Sequence, residues 1–397
     1  MKTFLAAAAF TALAASLVAL EPPVATSPAL AVASDAAIVA AVPGGIVSVP
    51  ELDTKKIAEL DYEKMVLPGP QFLISDDPEY IRVPEGVGLR ERVEAGRVRL
   101  YLYNVNGIKE APQDTHVGAV IRNLGDGPLT VRFLNFASEK PSGNYYAIGK
   151  GGLRDFLSGG GLPAPIVVAA GESASLDPKL DAGALKSDDL AHGFYEFLID
   201  QPAEISVLQA PFAAPLVEAN GRLTEVLPPS KQSGAGRGLY PISNYRVRLK
   251  NPAILDTAAG AVQLTVADGE KDAWITGFDS PTQTVSTLKG NYGVMYDIDI
   301  DWTSSDGRGL ALLMYNARAG GKWCDYIATS LKVSENDGPA EVVVVPTVEN
   351  AVKAPPDMVL VHLFKPGANK GGKIHITYSP PGASCLPTPL LFMPVGE

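Results

Sequence analysis

Between Tyr296 and Trp302 the chain alternates acid with isoleucine, so that Asp297, Asp299 and Asp301 interleave with Ile298 and Ile300. At a period of two, the carboxylates share one face of a strand, and Tyr296, Ile298, Ile300 and Trp302 share the other. That is the pattern of a half-buried β-sheet, and it recurs along most of the chain. Arg97-Val98-Arg99-Leu100-Tyr101-Leu102-Tyr103 repeats it. Glycine at 39 and proline at 33 residues suit many short strands joined by turns. The expected fold is therefore all-β, two antiparallel sandwiches of the Ig-like or jelly-roll-like kind. No alternating strand–helix rhythm is present, which argues against a doubly wound α/β sheet.

A length of 397 residues suits two domains with an N-terminal extension. Lys2 and the Ala-rich run from Phe4 to Ala19 read as a signal peptide over residues 1–33. An extended arm follows over 34–78, with a short helical candidate from Thr54 to Met65. The first sandwich is expected over 79–227, a Pro/Gly/Ser-rich linker over 228–243, and the second sandwich over 244–397. One short helix is expected, from Tyr146 to Leu157, stopping at Gly159-Gly160-Gly161. These features predict a secreted or cell-surface protein with no membrane insertion after signal cleavage. The formal net charge of −11 argues against a nucleic-acid partner.

Candidate sites follow from the strand faces. Asp297, Asp299 and Asp301 form a candidate Ca²⁺ face if Ser304, Ser305 and Asp306 complete the shell. The EF-hand pattern fails, because Trp302 stands where its glycine belongs. His362 and His375 would stand opposite each other if Phe364 and Lys373 pair across a hairpin, giving half of a Zn²⁺ or Cu²⁺ site. Arg97, Arg99, Tyr101 and Tyr103 form an aromatic-basic face suited to a sugar, or else one buried under the arm. Cys324 and Cys385, the only cysteines, read as a disulfide in an oxidising compartment. No complete nucleophile, phosphate-loop or zinc-protease motif is present in the sequence, which points to no catalytic residue.

Two pairs of segments carry a resemblance. One is the hairpin from Val120 to Val131 followed by Tyr145-Tyr146-Ala147-Ile148-Gly149-Lys150. The other is Lys289-Gly290-Asn291-Tyr292-Gly293-Val294-Met295-Tyr296 with Pro380-Pro381-Gly382-Ala383-Ser384-Cys385-Leu386-Pro387. Over roughly residues 79–397 the chain resembles uncharacterised exported bacterial proteins. Some of those also carry S-layer homology modules or a module like the N-terminal one of copper amine oxidases. The resemblance implies a fold and a location, and no activity. The expected function is a non-catalytic structural or adhesive protein whose partner is an extracellular protein, a polysaccharide or a second copy of itself. Carbohydrate binding is the first alternative, and a polysaccharide hydrolase or lyase with spatially assembled carboxylates the second.

Overall fold

The aspartate run lies on the strand Met295–Thr303 and keeps its alternation. Tyr296, Ile298, Ile300 and Trp302 are buried, Asp297 and Asp299 are half-buried, and Asp301 is exposed. The computed structural model describes residues 28–110, 113–230, 234–318, 325–368 and 370–396. Among these the strands form four sheets of nine, seven, six and four strands. The fold is all-β, with the sheets stacked in two sandwiches.

In the first sandwich the four-stranded sheet, centred on Thr115–Asn123 and Ala203–Pro211, covers one face of the nine-stranded sheet. Leu89, Ile121, Ile205 and Val207 meet Leu100, Leu102, Tyr195 and Phe197 in its core. In the second, Met295–Thr303 and its neighbours Asn244–Leu249 and Gly371–Tyr378 face Gly309–Met314, Asp357–Phe364 and Leu390–Val395 of the six-stranded sheet. Ile298, Ile300, Ile374 and Ile376 pack there with Leu312, Val361 and Phe392. Each such side chain removed from water contributes about 1.5–3 kcal/mol. Most pairings are antiparallel, but Gln71–Ser75 runs parallel to Gly96–Asn106, and Asn244–Leu249 parallel to Met295–Thr303.

Every residue of Gly309–Met314 is buried, so its sheet is covered on both faces. The cover on the far side is the N-terminal arm. Ile38, Val47 and Val49 pack on Leu313, Leu360 and Leu391. The arm also supplies strands to both sandwiches: Ile46–Ser48 and Ala58–Glu59 to the six-stranded sheet, Tyr62–Leu67 to the seven-stranded one, and Gln71–Ser75 to the nine-stranded one. The expected separate arm over 34–78 is thus an integral part of both units. Thr54–Lys56 is only a 3₁₀ turn, and the rest of the helical candidate is largely strand. The expected boundary at 228–243 is crossed as well. Arg237–Tyr240 pairs with Gln71–Ser75, and Thr276–Asp279 and Thr284–Thr287 extend the same sheet. Residues 1–27 of the expected signal peptide lie outside the described residues, and its last residues belong to the helix Pro28–Ala40.

The helix Tyr145–Ser158 begins at Asn144, whose side chain accepts from the Ala147 N–H at 3.2 Å, and ends at the left-handed Gly159. It is wedged between the sandwiches. Phe156 stacks on Phe194 of the first at 3.7 Å, and Lys150 donates to the Pro346 carbonyl of the second at 2.8 Å. A Cβ at Gly149 would lie 2.5 Å from the Gly382 carbonyl oxygen, and one at Gly152 2.4 Å from the His192 ring. Only glycine permits so close an approach on both sides. The helices Pro178–Asp181 and Leu216–Arg222 lie against the first sandwich.

Candidate functional site

The aromatic-basic face of Gly96–Asn106 is not exposed. Arg99, Tyr101 and Tyr103 are 3%, 1% and 5% exposed, and what covers them is the second sandwich, with only Arg97 left half-exposed. The Arg99 guanidinium donates to Glu196 Oε2 at 2.7 and 2.9 Å, and to the Ser243 and Gly293 carbonyls at 2.8 and 3.3 Å. Burial opposes the Glu196 charge, yet Arg99 and Arg97 together hold its carboxyl below the usual range. Arg99 therefore acts as an inter-sandwich clamp, with Arg97 bracing Glu196 from its own sheet. Tyr101 accepts from the Gly382 N–H at 2.9 Å, and Tyr103 packs against Gly382. The two rings form the floor of a cleft rather than an open platform.

That cleft, about 650 Å³, opens where the two sandwiches meet the wedged helix. Over the Tyr101 and Tyr103 floor, four sequence-distant segments supply most of its walls, with Gly234 and Ala235 beside them. The turn after Gln71–Ser75 brings Asp76, Glu79 and Tyr80, and is held there by the Asp76 N–H donating to the Gly236 carbonyl at 3.0 Å. The N-terminus of the wedged helix brings Asn144, Tyr145 and Tyr146, with the Tyr145 hydroxyl donating to the Asp188 carbonyl at 2.8 Å. The turn at 289–293 brings Lys289 and Tyr292. Its backbone is left-handed at Gly290, Asn291 and Gly293, and the Asn291 amide donates to the Tyr296 hydroxyl at 2.7 Å. Residues 382–384 close the wall.

Two carboxyls converge in this space. Asp76 is 8% exposed, and its side chain has no hydrogen-bond or ion-pair partner among the described residues. Burial pushes its carboxyl well above the usual range, with Glu79 and Asp77 adding like charge. Burial raises Glu79 as well, against a smaller opposing pull from Arg82. Burial, and behind it the charges of both acids, also raises the hydroxyls of Tyr103 and Tyr292. Beneath Tyr101 and Tyr103, at 5.1 and 6.2 Å, lies the His192 ring, which burial lowers to about 4 and so keeps neutral.

The other expected residues are placed apart from the cleft. Asp297, Asp299 and Asp301 share one strand face, of which Asp299 and Asp301 line a second cavity of about 500 Å³, and side chains of the flanking strands stand against these carboxylates. His375 Nδ1 lies 2.8 Å from Asp299, Arg246 and Arg248 lie 3.5 and 3.6 Å from it, and Thr377 donates to Asp297 at 3.3 Å. Asp301 stands opposite Lys373. Asp306 is occupied by Thr257 and Arg308, and Ser305 by Asp256. Among the described residues no three His, Cys, Asp or Glu side chains gather as metal ligands. His362 and His375 do not face each other. Asp357–Phe364 belongs to the six-stranded sheet and Gly371–Tyr378 to the seven-stranded one, so the connection between them crosses the sandwich instead of turning a hairpin. His362 packs on Phe364 at 4.5 Å. Cys385 is fully buried, and its expected partner Cys324 lies outside the described residues.

Asp76, Glu79, Tyr80 and Tyr292 were not singled out as site residues by the sequence. A signal was nonetheless present: the segments around Tyr145-Tyr146, Lys289 to Tyr292 and Pro380 to Pro387, quoted above for their resemblance, all meet at this cleft.

No family model matches the chain, and no curated protein matches it in sequence. Among solved structures, the oxalate decarboxylase of Lactobacillus farciminis in its formate complex is 11% identical over 83% of this chain and 86% of that chain, with a TM-score of 0.12. A tryptophan-to-tyrosine variant of the Bacillus subtilis oxalate decarboxylase is 12% identical over 87% of this chain and 79% of that chain, with a TM-score of 0.10. Scores this low carry no argument about fold or function.

Proposed function

We propose that this chain is an exported, non-catalytic binding protein that seats a carbohydrate in the cleft between its two sandwiches. The observation that carries this reading is the gathering of Tyr80, Tyr145, Tyr146 and Tyr292 over a floor of Tyr101 and Tyr103, with the Asp76 and Glu79 carboxyls beside them. A sugar ring presents an apolar C–H face that packs on an aromatic ring, and a rim of hydroxyls that needs donors and acceptors. The Tyr103 and Tyr292 hydroxyls make no hydrogen bond to the described residues, and with the Asp76 and Glu79 carboxyls they supply such partners. The cleft volume of about 650 Å³ suits a ligand of one to a few rings. Export rests on the N-terminal apolar run, and a purely structural role would leave the cleft without a purpose.

Binding of the full chain to a panel of soluble polysaccharides tests this. At least one glycan should bind, and Tyr145→Ala should weaken it about tenfold in a variant whose circular dichroism shows that it is still folded. A panel with no binder ends the reading. The two raised carboxyls favour a second reading, a glycoside hydrolase with one of them as general acid. Reducing-end release by the wild-type chain, abolished in Glu79→Gln, would replace binding by catalysis.

A further inference from the structure

A buried carboxylate without a partner is costly, and native structures rarely keep one unless something else completes it. Asp76 is such a group, and it opens into a cleft rather than into packed core. Glu79, on the same turn, also makes no side-chain hydrogen bond to the described residues. The charged groups acting on Asp76 are both acids, Glu79 and Asp77, and of these Asp77 is committed to the Ser230 N–H at 2.7 Å. No cation is paired with Asp76 among the described residues, although Lys289 also lines the cleft. Arg82 lies over the Tyr80 ring at 5.5 Å and donates to its carbonyl, and the Lys289 ammonium stands 5.5 Å over Trp274. Arg318 acts on the Tyr292 side of the cleft and not on Asp76.

A neutral sugar hydroxyl would satisfy one carboxyl oxygen and leave the two acids unable to ionise together. An ammonium group would relieve both at once. A cation is also attracted to aromatic rings, and Tyr103 and Tyr292 line the same cleft. We infer that the ligand of this cleft is a cationic sugar, one whose free amino group sits on Asp76 and Glu79 between Tyr103 and Tyr292. The inference rests on the carbohydrate reading above and narrows it to amino sugars that are not N-acylated. Acylation removes the charge and adds bulk where the two acids meet.

Isothermal titration calorimetry of the full chain with a de-N-acetylated glucosamine oligosaccharide and with its N-acetylated counterpart tests it. The measurement is made at a pH that keeps the amines charged. The de-N-acetylated form should bind about tenfold tighter or better. Asp76→Asn should bring the two affinities within about twofold of each other, by removing the charge but not the shape. If that variant does not fold, Glu79→Gln should reduce the preference in the same direction. Equal affinities in the wild-type chain, or a preference for the acetylated form, overturn the inference and leave the carbohydrate reading standing. Failure of both oligosaccharides, together with every other glycan of the panel, overturns both.

Discussion

Arg99→Met removes a side chain that ties the first sandwich, through Glu196, to the backbone of the second, through the Ser243 and Gly293 carbonyls. Both partners of the ion pair are nearly sealed, at 3% and 4% side-chain exposure. Breaking a pair in that setting costs about 3–5 kcal/mol, because the surviving charge stays buried. Glu196 keeps Arg97, whose side chain is half-exposed, which places the loss near the lower end at about 3 kcal/mol. Against a typical total of about 5–15 kcal/mol that is a large share. Urea unfolding followed by tryptophan fluorescence and by far-ultraviolet circular dichroism measures it. The single variant should lose about 3 kcal/mol, and the two probes should separate as the sandwiches uncouple. Arg99→Met with Glu196→Leu should recover most of the loss, since an apolar pair of similar volume replaces a desolvated ion pair. A loss below about 1 kcal/mol in the single variant, or a double variant less stable than the single one, would refute the clamp.

Three further outcomes follow from the same structure. Burial raises the Asp181 carboxyl to about 7, so its contribution to stability is present below its unfolded value near 4 and is lost as pH rises through 7; Asp181→Asn should be neutral in acid and stabilising by up to about 4 kcal/mol at pH 8, in chemical unfolding at the two pH values. Ca²⁺ or a chelator should leave the melting temperature unchanged, because the Arg246 and Arg248 guanidinium groups already stand against Asp299, and a clear Ca²⁺-dependent rise would restore the metal reading. Reduction should lower the melting temperature through the proposed Cys324–Cys385 bridge, worth about 4 kcal/mol in the chain-entropy model, and two thiols reactive without denaturant would end that proposal.

The strand faces were legible because alternation is local. Met295–Thr303, Gly96–Asn106 and the helix Tyr145–Ser158 could be read from period and caps alone. Sheet membership was not. The segment between Phe364 and Gly371 has the composition of a hairpin loop, but six residues also span the roughly 10 Å between stacked sheets. The choice depends on what covers the far face of the six-stranded sheet. That cover, Ile38 to Val49, lies some 300 residues away. The arm strands Ala58–Glu59 and Gln71–Ser75 are too short to show a period and take their form from the strands they join. The cleft was less legible still. Asp76, Tyr145, Tyr292 and Gly382 come from four turns or helix ends that no single spacing links.

The most direct test is hydrogen–deuterium exchange of the full chain with and without a bound glycan. Protection should appear together at residues 76–80, 143–146, 289–293 and 382–384, four of the segments lining the cleft, with the Asp299 face unchanged. Protection centred on the Asp299–His375 face, or spread over the sheets with none at these four segments, would contradict the account.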